Sequence, residues 1–138
     1  MQLGKKLLSV AATLAMSAGL AVVPASPAFA YNYSCRSAYT AGGWYAYPCI
    51  ETDGSYFRAD ATVLDAPTNC THYRVYVLDN WGDEVYSTSA RDCSETQSPQ
   101  TAALYFSLAG HYAQARLKAW NGTTQILSID SPKIYYLL

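Results

Sequence analysis

An all-β fold, an antiparallel β-sandwich stapled by disulfides, follows from three features of this sequence. Eight or nine short runs rich in Val, Tyr, Thr and Ile succeed one another, with Gly, Asn, Asp or Pro between them every eight to twelve residues. Apolar and polar residues alternate in the longest runs, and no sustained helical period occurs after residue 30. The four Cys fall symmetrically about two of the turns.

Residues 1–30 have the form of a secretory signal peptide. Lys5 and Lys6 supply the charged start, Leu7 to Val23 the apolar run, and Ala28-Phe29-Ala30 the cleavage site. The apolar run is short, Ala-rich in the bacterial manner, and ended by Pro24 and Pro27, which argues against a membrane anchor. The expected product is a secreted, extracellular single domain, residues 31–138, or 138 − 30 = 108 residues. An even number of Cys in a small exported domain points to two disulfides.

The first hairpin is expected from Tyr33–Thr40 and Trp44–Ile50 about Ala41-Gly42-Gly43. Pairing about Gly42 sets Thr40 opposite Trp44 and Cys35 opposite Cys49. Asp53-Gly54 makes the next turn. Ser55–Leu64 follows as a half-buried strand, with Phe57, Ala59, Ala61 and Val63 on its apolar side. Tyr73–Asp79 and Glu84–Ala90 flank Asn80-Trp81-Gly82-Asp83 as a second hairpin. Folded symmetrically, residue i faces residue 163 − i, so Asp79 meets Glu84, Val77 meets Tyr86, His72 meets Arg91 and Cys70 meets Cys93. Directly opposed residues lie within disulfide reach, so the expected bridges are Cys35–Cys49 and Cys70–Cys93. After the polar stretch Ser94–Gln100 come the strands Thr101–Leu108 and His111–Trp120. The second of these places Ala113, Ala115, Leu117 and Ala119 on one face and Gln114, Arg116 and Lys118 on the other. Asn121-Gly122 turns into Thr123–Ile129, Pro132 breaks that strand, and Ile134–Leu138 reads as a last core strand.

The stretch from Leu108 to Ala119, with Tyr112 near its start, resembles the penultimate strand of immunoglobulin-like and fibronectin type III domains. Asn121-Gly122 and Ser131-Pro132 look like the last hairpin and exit of that fold, and the likeness covers about 30 residues. It implies an immunoglobulin-like sandwich with Tyr112 as a tyrosine corner. The stretch Cys35 to Cys49, with Trp44-Tyr45-Ala46-Tyr47 inside it, is also similar to secreted amylase inhibitors of the tendamistat type. That likeness implies an inhibitor of an extracellular hydrolase, although the Trp-Arg-Tyr triplet of those proteins is missing.

Without Lys5 and Lys6 the chain has seven basic residues against ten acidic ones, and no basic patch. Nucleic acid and anionic membranes are therefore not the expected partners, and membrane insertion is not expected either. Asp79, Asp83 and Glu84 match no calcium loop, and His72 and His111 have no companion ligands once the Cys are bridged, so no metal or cofactor is expected. No nucleophile elbow is present and titratable groups are few, so no catalytic residues are assigned and the protein is not read as an enzyme. The aromatics stand out instead. Trp44, Trp81 and Trp120 all sit at hairpin tips, where a small domain rarely spends Trp, and Tyr45 and Tyr47 crowd the first hairpin. Trp44, Trp120, Tyr45, Tyr47 and Trp81 are the candidate binding residues of a monomeric interaction module. Its expected partner is an extracellular polysaccharide or protein.

Overall fold

The computed structural model describes residues 32–53, 56–95, 99, 101, 104–105 and 111–136. The expected signal peptide, the turns at Gly54 and Ala109-Gly110, most of Ser94–Gln100 and Thr101–Leu108, and Leu137-Leu138 lie partly or wholly outside these. Among the described residues every named element except a 3-10 turn at Ala41–Gly43 is a strand: β1 (Asn32–Cys35), β2 (Tyr45–Thr52), β3 (Tyr56–Asp65), β4 (His72–Leu78), β5 (Glu84–Ser87), β6 (Arg91–Asp92), β7 (Leu104–Tyr105), β8 (His111–Asn121), β9 (Thr124–Asp130) and β10 (Ile134–Tyr136). They form two antiparallel sheets. Sheet A has the order β1-β2-β3-β7. In sheet B, β4 and β8 are central, β5 and β6 share the free edge of β4, and β9 and β10 share the free edge of β8.

The alternation within each strand decides what the sheets enclose. Ala46 and Ile50 of β2 and Phe57, Ala59, Ala61 and Val63 of β3 face Tyr73, Val75 and Val77 of β4, with Ala113, Ala115, Leu117 and Ala119 of β8. Trp44, Leu127, Ile129 and Ile134 complete the core. The rows of Ala bring the sheets close together, and Tyr73, Phe57 and Trp44 fill the volume that Ala leaves, as dense packing requires. Pro48 stands within β2, a strand paired on both sides, where a missing N–H would normally break a ladder. It is tolerated because β1 ends at Cys35, and only the Arg36 N–H reaches across to the Pro48 carbonyl.

Cys35 is opposite Cys49 and bonded to it, and Cys70 is bonded to Cys93 with the Cα atoms 5.8 Å apart. Each bridge lies within one sheet and its adjoining loop.

Four local expectations are corrected. The strand expected at Tyr33–Thr40 stops at Cys35, and Thr40 does not face Trp44. Residues 36–44 form a wide loop closed by the Tyr39–Ala46 bridge, with Gly42 and Gly43 at φ 65° and 85°. Val77 faces Tyr86, but a bulge places Glu84 opposite Leu78 and releases Asp79 into the turn. His72 faces Asp92 rather than Arg91, because one extra residue enters the edge between β5 and β6. The last hairpin turns on Gly122-Thr123, since Asn121 pairs with Thr124. Gly122, at φ 59°, holds the first central position, which glycine favours in two-residue turns.

Candidate binding surface

The turn after β4 is a closed loop built by one carboxylate. Asp79 Oδ1 accepts hydrogen bonds from the Trp81 and Asp83 backbone N–H groups, both at 2.9 Å. The Asp79 N–H donates to the Asp83 carbonyl at 3.0 Å, and the Gly82 N–H donates to the Asp79 carbonyl at 3.1 Å. Asp at the first position of a turn works this way because its short side chain mimics a backbone acceptor. Gly82 takes the left-handed φ of 88° that closes the loop. Trp81 is thereby held outward, 75% exposed.

The neighbouring Asn80 fastens this turn to β8: its Oδ1 accepts the Tyr112 N–H at 3.1 Å. Tyr112 lies opposite Tyr135 of β10, and the two rings meet with centroids 4.5 Å apart. Both rings are exposed, as are Val85 and Tyr86 just after the turn. Five of the eight exposed large apolar side chains among the described residues are thus Trp81, Val85, Tyr86, Tyr112 and Tyr135, all at this end of the fold. Beside them an ionic lattice stiffens the outer face of sheet B. Arg116 forms a two-pronged pair with Asp130 at 2.7 and 2.8 Å, and Glu84 receives both Arg116 and Lys118. The Asp130 hydrogen bonds push the Arg116 pKa further above its already high ordinary value, so its charge is permanent.

The structure scatters the other aromatics chosen from sequence. Trp44 is turned into the core and only 6% exposed, because the loop 36–44 folds over it; one side of it borders a cleft of about 240 Å³ with Tyr39, Pro67, Asn69 and Ile126. Trp120 is half-buried on the outer face of sheet B, stacked on His72 with ring centroids 5.1 Å apart. Tyr45, exposed, and Tyr47, half-buried, lie on the outer face of sheet A. Near them the Tyr33 hydroxyl donates to Asp60 at 3.4 Å. Burial first, and then the Asp60 charge, push the Tyr33 phenol up to about 12. Trp81 alone among the five candidates joins the exposed patch.

Tyr135, Tyr86 and Val85 were not singled out from sequence, and Tyr112 was expected only in a structural role. Tyr112 points outward, its ring meets that of Tyr135 at a tilt of 48°, and its hydroxyl bonds no described residue. The alternation that places Ala113, Ala115, Leu117 and Ala119 inward puts Tyr112 on the opposite face with Gln114, so this signal was present in the sequence. Among the described residues no three His, Cys, Asp or Glu side chains converge on a point a metal ion could occupy. No protein family, curated protein or solved structure matches this chain.

Proposed function

We propose that this protein is a small secreted binding module, not an enzyme, and that Trp81 with Tyr112 and Tyr135 lies against the sugar rings of an extracellular polysaccharide. One observation carries the reading: the most exposed large apolar side chain described is held by a purpose-built turn beside two further exposed rings. An indole on a flexible loop would lose backbone freedom on binding; here Asp79 already fixes the backbone that carries the indole. Aromatic faces stack on the C–H faces of sugars, and rigid presentation suits a repetitive, flat ligand. Two disulfides are compatible with an extracellular setting. The strand order supports an immunoglobulin-like assignment. With β2, β3 and β7 in one sheet and β5–β6, β4, β8 and β9–β10 in the other, it is similar to fibronectin type III domains, with β1 added at an edge. The alternative reading, an inhibitor of an extracellular hydrolase, is suggested by the stretch from Trp44 to Tyr47 between Cys35 and Cys49; Tyr45 is exposed there, whereas Trp44 is buried.

The test is a pull-down of residues 31–138, bridges intact, on insoluble cellulose, chitin and bacterial cell wall. Retention on one of these should fall about tenfold in a Trp81→Ala variant, as for loss of one aromatic anchor. Retention that a folded Trp81→Ala variant keeps in full, or no retention on any of the three, would sink the proposal.

A further inference from the structure

A second aromatic corner lies at the other end of sheet B. Tyr73 and Val75 are buried, so His72 and Arg74 stand on the outer face of β4, opposite Trp120 and Lys118 of β8. The His72 and Trp120 rings are nearly parallel, at 9°, with centroids 5.1 Å apart. The Thr71 hydroxyl holds this corner together. It donates to the Trp120 carbonyl at 3.0 Å, accepts the Gly122 N–H at 2.9 Å and lies 3.0 Å from His72 Nδ1. With its one proton given to Trp120, the hydroxyl can only accept from His72, which assigns a proton to Nδ1; in the neutral imidazole Nε2 is then the acceptor.

The charges on this face are arranged unevenly. Arg116 is paired with Asp130 and Glu84, and Lys118 with Glu84. Arg74 has no carboxylate partner among the described residues. Asp92, opposite His72, is the acid of the corner, and its Oδ1 takes both the N–H and the hydroxyl of Ser94, at 2.8 and 2.7 Å. The result is one uncompensated guanidinium about 7 Å along the strand from a prearranged imidazole–indole stack. Asn121, Gly122, Thr123, Thr124 and Gln125 form an exposed polar rim beside the stack.

We infer that His72, Arg74 and Trp120 form a second binding site, one that takes a sugar residue carrying a carboxylate. Arg74 receives the carboxylate through its two-pronged donor geometry, His72 Nε2 accepts a ring hydroxyl, and the exposed part of Trp120 packs on the ring. The acidic net charge of the chain does not oppose this, because screening at physiological salt confines each charge to about 8 Å, and the one acid of the corner, Asp92, lies on the β6 side of His72, away from Trp120. This site stands apart from the Trp81 patch and does not depend on it.

The experiment is affinity electrophoresis of residues 31–138 in gels containing polygalacturonate, or the same polymer with its carboxylates methyl-esterified. The expected result is retardation by polygalacturonate and about tenfold weaker binding to the esterified form, with a similar loss for Arg74→Gln on polygalacturonate. His72→Ala, with a melting transition like that of the parent, should also bind more weakly. Trp81→Ala should bind polygalacturonate like the parent, so the two proposals fail separately. Equal retardation by both polymers, no retardation by either, or undiminished binding by Arg74→Gln would overturn the inference.

Discussion

Thr88 and Val75 exchange two hydrogen bonds, and only one of them joins backbone to backbone. The Thr88 N–H donates to the Val75 carbonyl at 2.9 Å, while the Val75 N–H donates to the Thr88 hydroxyl at 3.1 Å. Thr88 lies where the edge of sheet B breaks between β5 and β6, and the hydroxyl replaces a carbonyl that has turned away. The same arrangement recurs twice. Ser131 serves Ala115 between β9 and β10, at 2.8 and 2.9 Å, and Thr101 serves Ala59 ahead of β7, at 2.8 and 3.0 Å. All three hydroxyl residues are buried. At these three positions a short hydroxyl side chain at the sheet edge keeps the N–H of the neighbouring inner strand satisfied.

Thr88→Val keeps the shape and removes the acceptor, so the Val75 N–H is left buried without a partner. Stability should fall by about 1–3 kcal/mol, read from the urea midpoint, with Thr88→Ser losing much less. Equal losses for Val and Ser would show that the methyl group matters rather than the hydroxyl.

Tyr73 presents the opposite case. Its ring is fully buried and its hydroxyl has no hydrogen-bond partner among the described residues. Tyr73→Phe should therefore be neutral or stabilising by about 1 kcal/mol, whereas most core substitutions destabilise. A clear loss of stability would reveal a partner for the hydroxyl.

Alkaline stability should depend on Tyr33. Its phenol is raised from 10.0 to about 12 in the folded protein, so the protonated form is favoured by folding. That contribution is fully present below about pH 10 and is lost as the pH climbs toward 12. It is small, because Tyr33 is 48% exposed. Urea midpoints of the parent should fall more steeply than those of Tyr33→Phe between pH 10 and 12; parallel curves would remove the Asp60 contact from the account.

Asp79→Ala should loosen the Trp81 turn at a cost of about 1 kcal/mol in stability and weaken polysaccharide retention with the indole still present. Asp79→Asn keeps an acceptor oxygen and should behave nearly as the parent. Retention unchanged in Asp79→Ala would mean that the fixed turn does not contribute to binding.

Replacing Cys70 and Cys93 together by Ser should lower stability by about 3 kcal/mol, mainly by freeing the unfolded chain. A loss below about 1 kcal/mol would show that the β4–β6 pairing holds that segment without the bridge.

Much of the fold could be read from sequence because it rests on local rules. Period-two alternation marks β3 and β8, and the symmetry of the four Cys about Gly42 and about Asn80–Asp83 indicates the pairs Cys35–Cys49 and Cys70–Cys93, although the first turn is a wide loop and the second register slips by one residue before Cys93. What escaped was decided by single-residue insertions and by distant packing. The bulge before Leu78 moved Asp79 from the ladder into the turn, where it became the clamp on Trp81. The burial of Trp44 depends on Pro67, twenty-three positions away, which lines the same cleft and lies against Gly43. The meeting of Tyr112 and Tyr135 depends on the break at Ser131, which sets the pairing of β10 along β8.

Both disulfides join segments that the sheets already make neighbours, and neither crosses from sheet A to sheet B. The two sheets are joined through their side chains in the core, with its many Ala residues, and through the connecting loops. Reduction therefore removes crosslinks within each sheet without cutting any covalent tie between the two, and it weakens the whole fold mainly by freeing the unfolded chain.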